Sequence, residues 1–407
     1  MTIEVRSCKD KEEVDLYGKV VSYVFAEDDK DALSTEMSGT QPDWTTCAWV
    51  DGKIATTMGT FPFTVRLNGA PVHMGGVTAV GTLPQYRRQG LLRQVMGLGY
   101  QQMRERGQSI AILWASMGAI YQRFGYGAAS PSVGYSFDPR FAGFAFPQEP
   151  TGRVELMEKE DAYPVIKQLY IQYATPRNLH IHRSSILWNV GTLRPPKKDK
   201  PVYIGVYRNG DGEARGHIVY NTQNHDTPEP GPGQVLNVSD FVYLDMDAFR
   251  GLWEYIRRHD LVGRVNIRGA FGEDDPARDL LMEPRMLNRS VNDGIWMRVV
   301  DVEKAVPQRP YGGRGALVFE IQGDTMCGWN EGVWEMETGG ESTEIRRSSR
   351  TPQLSMPINS LATLMSGHRS ATTLARNGLI AAHDERALKV ADDLFRTEYP
   401  PNCPNGF

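Results

Sequence analysis

The pattern of apolar and polar positions reads as strand over Thr45–Val50 and Ile54–Phe61, with Asp51-Gly52 between them. Asp-Gly readily takes the positive φ of a type I′ turn, so this stretch predicts a β-hairpin. Asn68-Gly69 repeats the signal and joins Phe63–Leu67 to Val72–Val80. The period then changes. Leu91, Leu92, Val95, Met96 and Met103 fall at helical spacing and predict a helix over Leu91–Arg106, with Gly107 as its C-cap. The apolar run Ile110–Ala115 suits a buried strand.

The Pro/Gly-interrupted stretch Phe141–Gly152 reads as a linker. Beyond it, Val202–Tyr207, the turn Asn209–Gly212 and Gly216–Tyr220 predict another hairpin. Strand-like Val235–Leu244 and helix-like Ala248–Arg258 follow. The first unit carries LPQYRRQGL between strand and helix where the second carries VYLDMDAFR. This predicts an internal repeat in which only the first copy keeps phosphate-binding chemistry. A third unit begins near Val300, with strands at Ala316–Ile321 and Gly332–Glu337 and helices at Ile358–Met365 and Arg386–Phe395. The tail EYPPNCPNGF has three prolines and no regular period.

A length of 407 residues suits two or three domains at roughly 100–200 residues each. Net charge is −4, from 45 basic and 49 acidic residues, so no basic excess points to nucleic acid. The four cysteines are far apart with no C-x-x-C pair, which argues against a zinc knuckle and for reduced thiols in a cytoplasmic protein. The N-terminus lacks the apolar run of a signal peptide, and no stretch of ~18 apolar residues predicts a membrane span.

Candidate chemistry concentrates in VTAVGTLPQYRRQGLLRQV, Val77–Val95. A strand runs into Pro84, and Arg87-Arg88-Gln89-Gly90 opens a helix. A helix N-terminus presents unpaired N–H groups and the positive end of the macrodipole, which suits a pyrophosphate. Gly90 lets backbone approach the phosphates, and Arg87 and Arg88 can make forked bonds to them. The plainer alternative is a surface strand–turn–helix that carries two arginines. In IYQRFGYG, Ile120–Gly127, Tyr126 sits between glycines. A phenol of pKa ~10 is a reasonable acid for a departing thiolate whose thiol lies near ~8.5. The alternative is a core tyrosine with a satisfied hydroxyl.

These residues resemble the GCN5-related N-acetyltransferase (GNAT) superfamily and, more closely, its Eis (enhanced intracellular survival) branch. VGTLPQYRRQGLLR at 80–93 is similar to that family's cofactor segment, and SMGAIYQRFGYG at 116–127 to its catalytic-tyrosine segment. ALVFEIQGD, WNEGVWEME and GHRSATTLARNGLI in the third unit resemble its sterol-carrier-like domain. The resemblance implies an α+β fold: tandem GNAT-like mixed sheets flanked by helices, plus a C-terminal sterol-carrier-like α+β domain. The implied domains are a catalytic one over 1–145, a degenerate copy over 150–299, and the sterol-carrier-like domain with a catalytic C-terminus over 300–407. It also implies acetyl-CoA as co-substrate, no metal, a homo-hexamer, and a primary amine acceptor on a small molecule (aminoglycoside or polyamine) or a lysine-like group.

By the same resemblance, Val80, Gly81 and Thr82 offer strand backbone to the pantetheine arm. Arg88, Gln89, Gly90, Leu91, Leu92 and Arg93 form the pyrophosphate loop with Arg87 beside it, and Tyr121 and Gln122 lie along the cofactor. Tyr126 is the proton donor, and the carboxylate of the last residue, here Phe407, is the proton acceptor. A terminal carboxylate near ~3.3–3.7 needs burial or hydrogen bonding to serve as base. A frayed tail is the alternative. Some positions depart from the pattern. Met117 stands where a glutamate is usual, and Gly406 replaces an acidic penultimate residue of aminoglycoside-acetylating members. Glu27–Asp29 offers an acidic acceptor wall, but the aromatic expected some ten residues later is not evident near Glu36–Met37.

His180 and His182 would share one side of a strand, but no neighbouring cysteine or acidic spacing completes a metal site. Ser184-Ser185 and Ser348-Ser349 lack the setting of an activated nucleophile. The rival functional class is a non-catalytic carrier that holds a lipid or small molecule in the sterol-carrier-like domain. Co-purifying lipid without acetyl-CoA binding would favour it, and the intact R-R-x-G-L motif argues against it.

Overall fold

The computed structural model describes residues 1–26, 39–195, 200–224, 231–339 and 342–407. In chain order the first elements are β1 (Ile3–Arg6), α1 (Lys11–Phe25), β2 (Thr45–Val50), β3 (Lys53–Leu67), β4 (Ala70–Thr82), α2 (Leu91–Glu105), β5 (Ile110–Trp114), α3 (Gly118–Gln122), β6 (Gly127–Ala128) and β7 (Pro131–Phe137). The two expected turns have the required geometry. Asp51 and Gly52 take φ of 48° and 78°, and Asn68 and Gly69 take 49° and 87°. Helix α2 ends where Gly107 turns to φ 73°.

Next come β8 (Arg153–Met157), α4 (Lys159–Ala174), β9 (Tyr203–Arg208), β10 (Ala214–Asn224), β11 (Gln234–Tyr243), α5 (Met246–Arg257), β12 (Val262–Phe271), β13 (Ser290–Asp293) and β14 (Ile295–Val299). One sheet has the order β1-β2-β3-β4-β5-β14-β6 and the other, read from its far edge, β8-β9-β10-β11-β12-β7-β13. Strand sense matches step for step: β4 lies parallel to β5 and β11 parallel to β12, and every other neighbouring pair is antiparallel. The internal repeat is therefore present in the topology. Its copies exchange closing strands, since β7 follows the first copy in sequence but pairs with β12, and β14 follows the second but pairs with β5.

Pro131–Phe137 belongs to the second sheet, and Ala142 and Phe144 of the expected linker are buried in its core. The chain gathers into two units, Met1–Ser130 with Ile295–Glu398 and Phe407, and Pro131–Gly294 with Tyr399–Gly406. In the first, α2 buries Leu91, Val95, Met96, Tyr100 and Met103 against Ala48, Val50, Met58 and Leu113. α1 buries Val14, Tyr17 and Val21 against Cys47, Trp49 and Ile54 on the other face. The alternation of β2 thus serves two cores.

The third part of the chain contributes α6 (Val302–Gln308), β15 (Gly315–Ile321), β16 (Gly332–Thr338), β17 (Thr343–Arg347), β18 (Leu354–Met356), α7 (Ile358–Met365), α8 (Ala371–Arg376), β19 (Ala381–Ala382) and α9 (Glu385–Phe395). Its sheet order is β17-β16-β15-β18-β19. Among the described residues no helix is long and apolar enough to cross a membrane.

Candidate active site

The first copy opens where β4 stops pairing with β5. Their parallel ladder covers only Met74–Gly76 against Ile110–Ile112. Immediately beyond, β4 carries a bulge: Thr57 faces Gly81 and Gly59 faces Thr78, so Ala79 and Val80 oppose Met58 alone. Ala79 takes φ 51° to accommodate it. The Val80–Thr82 backbone therefore meets β3 on one side and, among the described residues, no strand on the other, as an extended amide-bearing ligand arm requires.

Below this gap lies a cleft of about 760 Å³. Val80, Gly81, Thr82, Arg87, Arg88, Gly90, Leu91, Leu92, Arg93 and Tyr121 line it. Gln89 and Gln122, also expected there, are exposed and lie outside the lining. Sequence reasoning missed Val24 and Phe25 at the end of α1, as well as Tyr86, Ile120 and Phe124. The last three stand inside the two motifs already singled out, so their apolar character was the available signal.

Helix α2 begins in this cleft. Gly90, its N-cap, takes φ 76°, no side-chain cap is made among the described residues, and the first turn holds no acidic residue. Arg87, Arg88 and Arg93 are exposed around it. The corresponding helix of the second copy, α5, is closed. Asp245 accepts from the Ala248 amide at 2.9 Å and pairs with Arg215 at 2.8 Å. Asp247 in the first turn accepts from Tyr207 and Thr151. Two carboxylates at that helix start would repel a phosphate.

Tyr126 is fully buried and is not among the residues that line the cleft, its ring 5.9 Å from that of Tyr121, which does line it, and 6.4 Å from that of Tyr100. The Tyr100 hydroxyl donates to the Phe124 carbonyl at 3.2 Å, and the Tyr126 hydroxyl meets no partner at hydrogen-bonding geometry among the described residues. Burial raises its phenol above the ordinary range, only partly opposed by the Tyr100 hydroxyl and the Arg298 guanidinium.

Phe407 is half-buried over β4. Its ring meets Phe63 edge-on at 5.2 Å, and its carbonyl oxygen accepts from the Thr78 hydroxyl at 3.3 Å. A side chain at Gly76 would overlap the Phe63 ring and crowd that of Phe407, so the strand-borne glycine keeps this seat open. The preceding tail is ordered within the second unit. Pro401 bridges to Asn178, and Asn405 accepts from the Tyr170 hydroxyl at 3.0 Å. Cys403 is buried.

Met117 is exposed at the cleft, and Gly406 is exposed in the tail. Glu27–Asp29 and Glu36–Met37 lie outside the described residues. His180 is buried beside the rings of Tyr170 and Tyr173, and burial pushes its imidazole down to about 3.

Comparison with known proteins gives the same segments a common identity. Models of the acetyltransferase (GNAT) domain match residues 4–129 and 179–299, and a sterol carrier protein domain model matches 302–404. A Streptomyces avermitilis protein described as an uncharacterized N-acetyltransferase is 29% identical over 379 residues, covering 90% of this chain and 89% of that protein. N-acetyltransferase Eis of Mycobacterium tuberculosis is 24% identical over 336 residues, covering 80% and 78%. The crystal structure of Eis1 from Mycobacterium abscessus superposes with a TM-score of 0.85 at 25% identity, over the full length of both chains. Two GNAT modules, the sterol carrier module and Eis relatives aligned over most of their length make this chain an acetyl-CoA-dependent acyltransferase, a member of the GCN5-related N-acetyltransferases in the branch that includes Eis.

Proposed function

We propose that the chain transfers an acetyl group from acetyl-CoA to a primary amine, on an aminoglycoside, a polyamine or a lysine-like group, by direct attack of the amine on the thioester. The observation that carries this reading is the cleft itself: an unpaired stretch of β4 backbone leads to an uncapped helix N-terminus ringed by three arginines. Val80–Thr82 would hold the pantetheine arm by backbone hydrogen bonds, while Arg87, Arg88, Arg93 and the 88–93 amides hold the pyrophosphate. Tyr121 would lie along the arm, and Gln89 and Gln122 would act at its exposed margin.

The co-substrate supplies the activated acetyl group, and the chain supplies alignment and proton transfer. The new C–N bond forms as the C–S bond breaks. The amine proton passes to the carboxylate that Phe407 carries where it ends the chain, and the thiolate takes the Tyr126 proton. The hydrogen bond from Thr78 and the half-buried seat of Phe407 support a fixed carboxylate there. Holding both reactants in one site supplies a large share of the acceleration. On this reading 1–145 carries the chemistry, 150–299 is a copy without phosphate chemistry, and 300–407 brings the terminus. The assembly is a homo-hexamer, a state that light scattering would measure.

The test is Tyr126→Phe. It should lower kcat roughly 100-fold, within the range of a lost general acid, with acetyl-CoA affinity nearly unchanged. Wild-type turnover in that variant would remove Tyr126 from the mechanism.

A further inference from the structure

The segment that carries Tyr126 is held from outside the GNAT domain. Residues 122–126 follow α3 in a tight turn, in which the Gly125 amide donates to the Gln122 carbonyl at 3.0 Å. Two carbonyls of this segment converge on one side chain: Asn359 Nδ2 donates to the Gln122 oxygen at 2.8 Å and to the Tyr126 oxygen at 2.8 Å. Asn359 lies at the start of α7, in the sterol-carrier-like part of the chain. The carbonyl between them, that of Phe124, accepts from Arg298 Nη1 at 2.6 Å. Arg298 is fully buried on β14 and is itself fixed by Asp324, with Nη2 2.6 and 2.9 Å from the two carboxylate oxygens.

The glycines of the motif fit the same contact. Gly125 takes φ 85°, and a Cβ there would overlap the Arg298 guanidinium and press on Ile358. A Cβ on Gly127 would overlap the Asn359 carbonyl. Both glycines flanking Tyr126 are therefore required by packing against residues 298 and 358–359, beyond any need for a flexible turn.

We propose that Asn359 is a positioning residue for Tyr126, so that the sterol-carrier-like domain is a working part of the acetyl-transfer site. Its amide spans the turn from Gln122 to Tyr126 and sets how far the phenol stands from the cleft. The inference rests on the reading of Tyr126 as proton donor. It gives the third domain a role that needs no ligand of its own.

The experiment is a double-mutant cycle on the full chain, with Asn359→Ala, the isosteric Asn359→Asp, Tyr126→Phe and the combined variants. Each Asn359 variant should lower kcat roughly 10- to 100-fold, the cost of a small misplacement of a reacting group, with KM for acetyl-CoA unchanged. In the Tyr126→Phe background the same changes should have almost no further effect. Without any ligand, hydrogen exchange of the amides of 122–127 should quicken in Asn359→Ala while α2 stays protected, a readout independent of turnover. Multiplying effects would overturn the inference, because Asn359 would then act other than through Tyr126. So would normal turnover in both Asn359 variants, or unchanged exchange at 122–127. An unaffected Tyr126→Phe enzyme would instead sink the donor reading. If Asn359→Ala fails to fold, Asn359→Asp keeps the shape, removes the donor and decides the matter alone.

Discussion

At Asp240 the second unit buries a carboxylate between two bases. Arg183 makes two hydrogen bonds to it, at 2.6 and 3.0 Å, and His217 Nε2 stands 2.9 Å away. Arg183 also lies over the Tyr170 ring at 3.7 Å, and Tyr170 in turn donates to Asn405 of the tail. Removing one member of a buried pair leaves the other charge uncompensated. Asp240→Asn should therefore cost about 3–5 kcal/mol of stability in chemical denaturation. A loss under about 1 kcal/mol, the usual worth of an exposed pair, would show that water reaches the cluster. None of this was legible in the sequence, where positions 183, 217 and 240 have no spacing in common. Tyr126 stands out in the sequence as a candidate, because its flanking glycines mark it within a short motif. Its partners Arg298 and Asn359 were not, since they stand about 170 and 230 residues further along and depend on long-range packing.

At the scale of elements, local chemistry made some features readable and left others hidden. The two hairpin turns were visible because positive φ is a property of the dipeptide itself, and α2 was visible because its 3.6-residue stripe faces a single core. The exchange of β7 and β14 was hidden, since a strand's own pattern does not name its partner sheet. The decisive difference between the two repeats lies at two helix starts. α2 presents bare amides and arginines, whereas α5 presents Asp245 and Asp247. If the bare start binds pyrophosphate, Arg88→Ala should weaken acetyl-CoA binding roughly 10- to 100-fold, the worth of a charge-assisted hydrogen bond. The loss should shrink as salt rises, because the lost term is electrostatic. Calorimetric titration at two salt concentrations would read both effects. Unchanged affinity at low salt would place the phosphates elsewhere.

For the whole molecule, the neutral imidazoles of buried His180 and half-buried His368 make stability depend on pH. Burial is the main cause that lowers His180 to about 3 and His368 to about 4. An unfolded histidine takes its proton near ~6.5, so between that pH and the folded values the unfolded chain binds more protons. The stability each group contributes is thus fully present above pH ~6.5 and declines as pH falls towards the folded value, by about 1.4 kcal/mol per unit per group. Melting curves between pH 7.5 and 5 should show this decline, and His180→Phe should make it shallower. The same slope in both proteins would mean that His180 is already charged in the folded state.

If the β4–α2 cleft works as an acetyl-transfer site, the full chain should release thiol from acetyl-CoA. A panel of polyamines, aminoglycosides and lysine peptides would serve as acceptors, beside a form with one residue added after Phe407. Release should depend on an amine, with acetyl-CoA bound equally by both forms and turnover lost in the extended one. Turnover equal in the two forms would contradict the terminal carboxylate as base. Absence of both binding and amine-dependent release in the native chain would mean that the cleft is not an acetyl-transfer site.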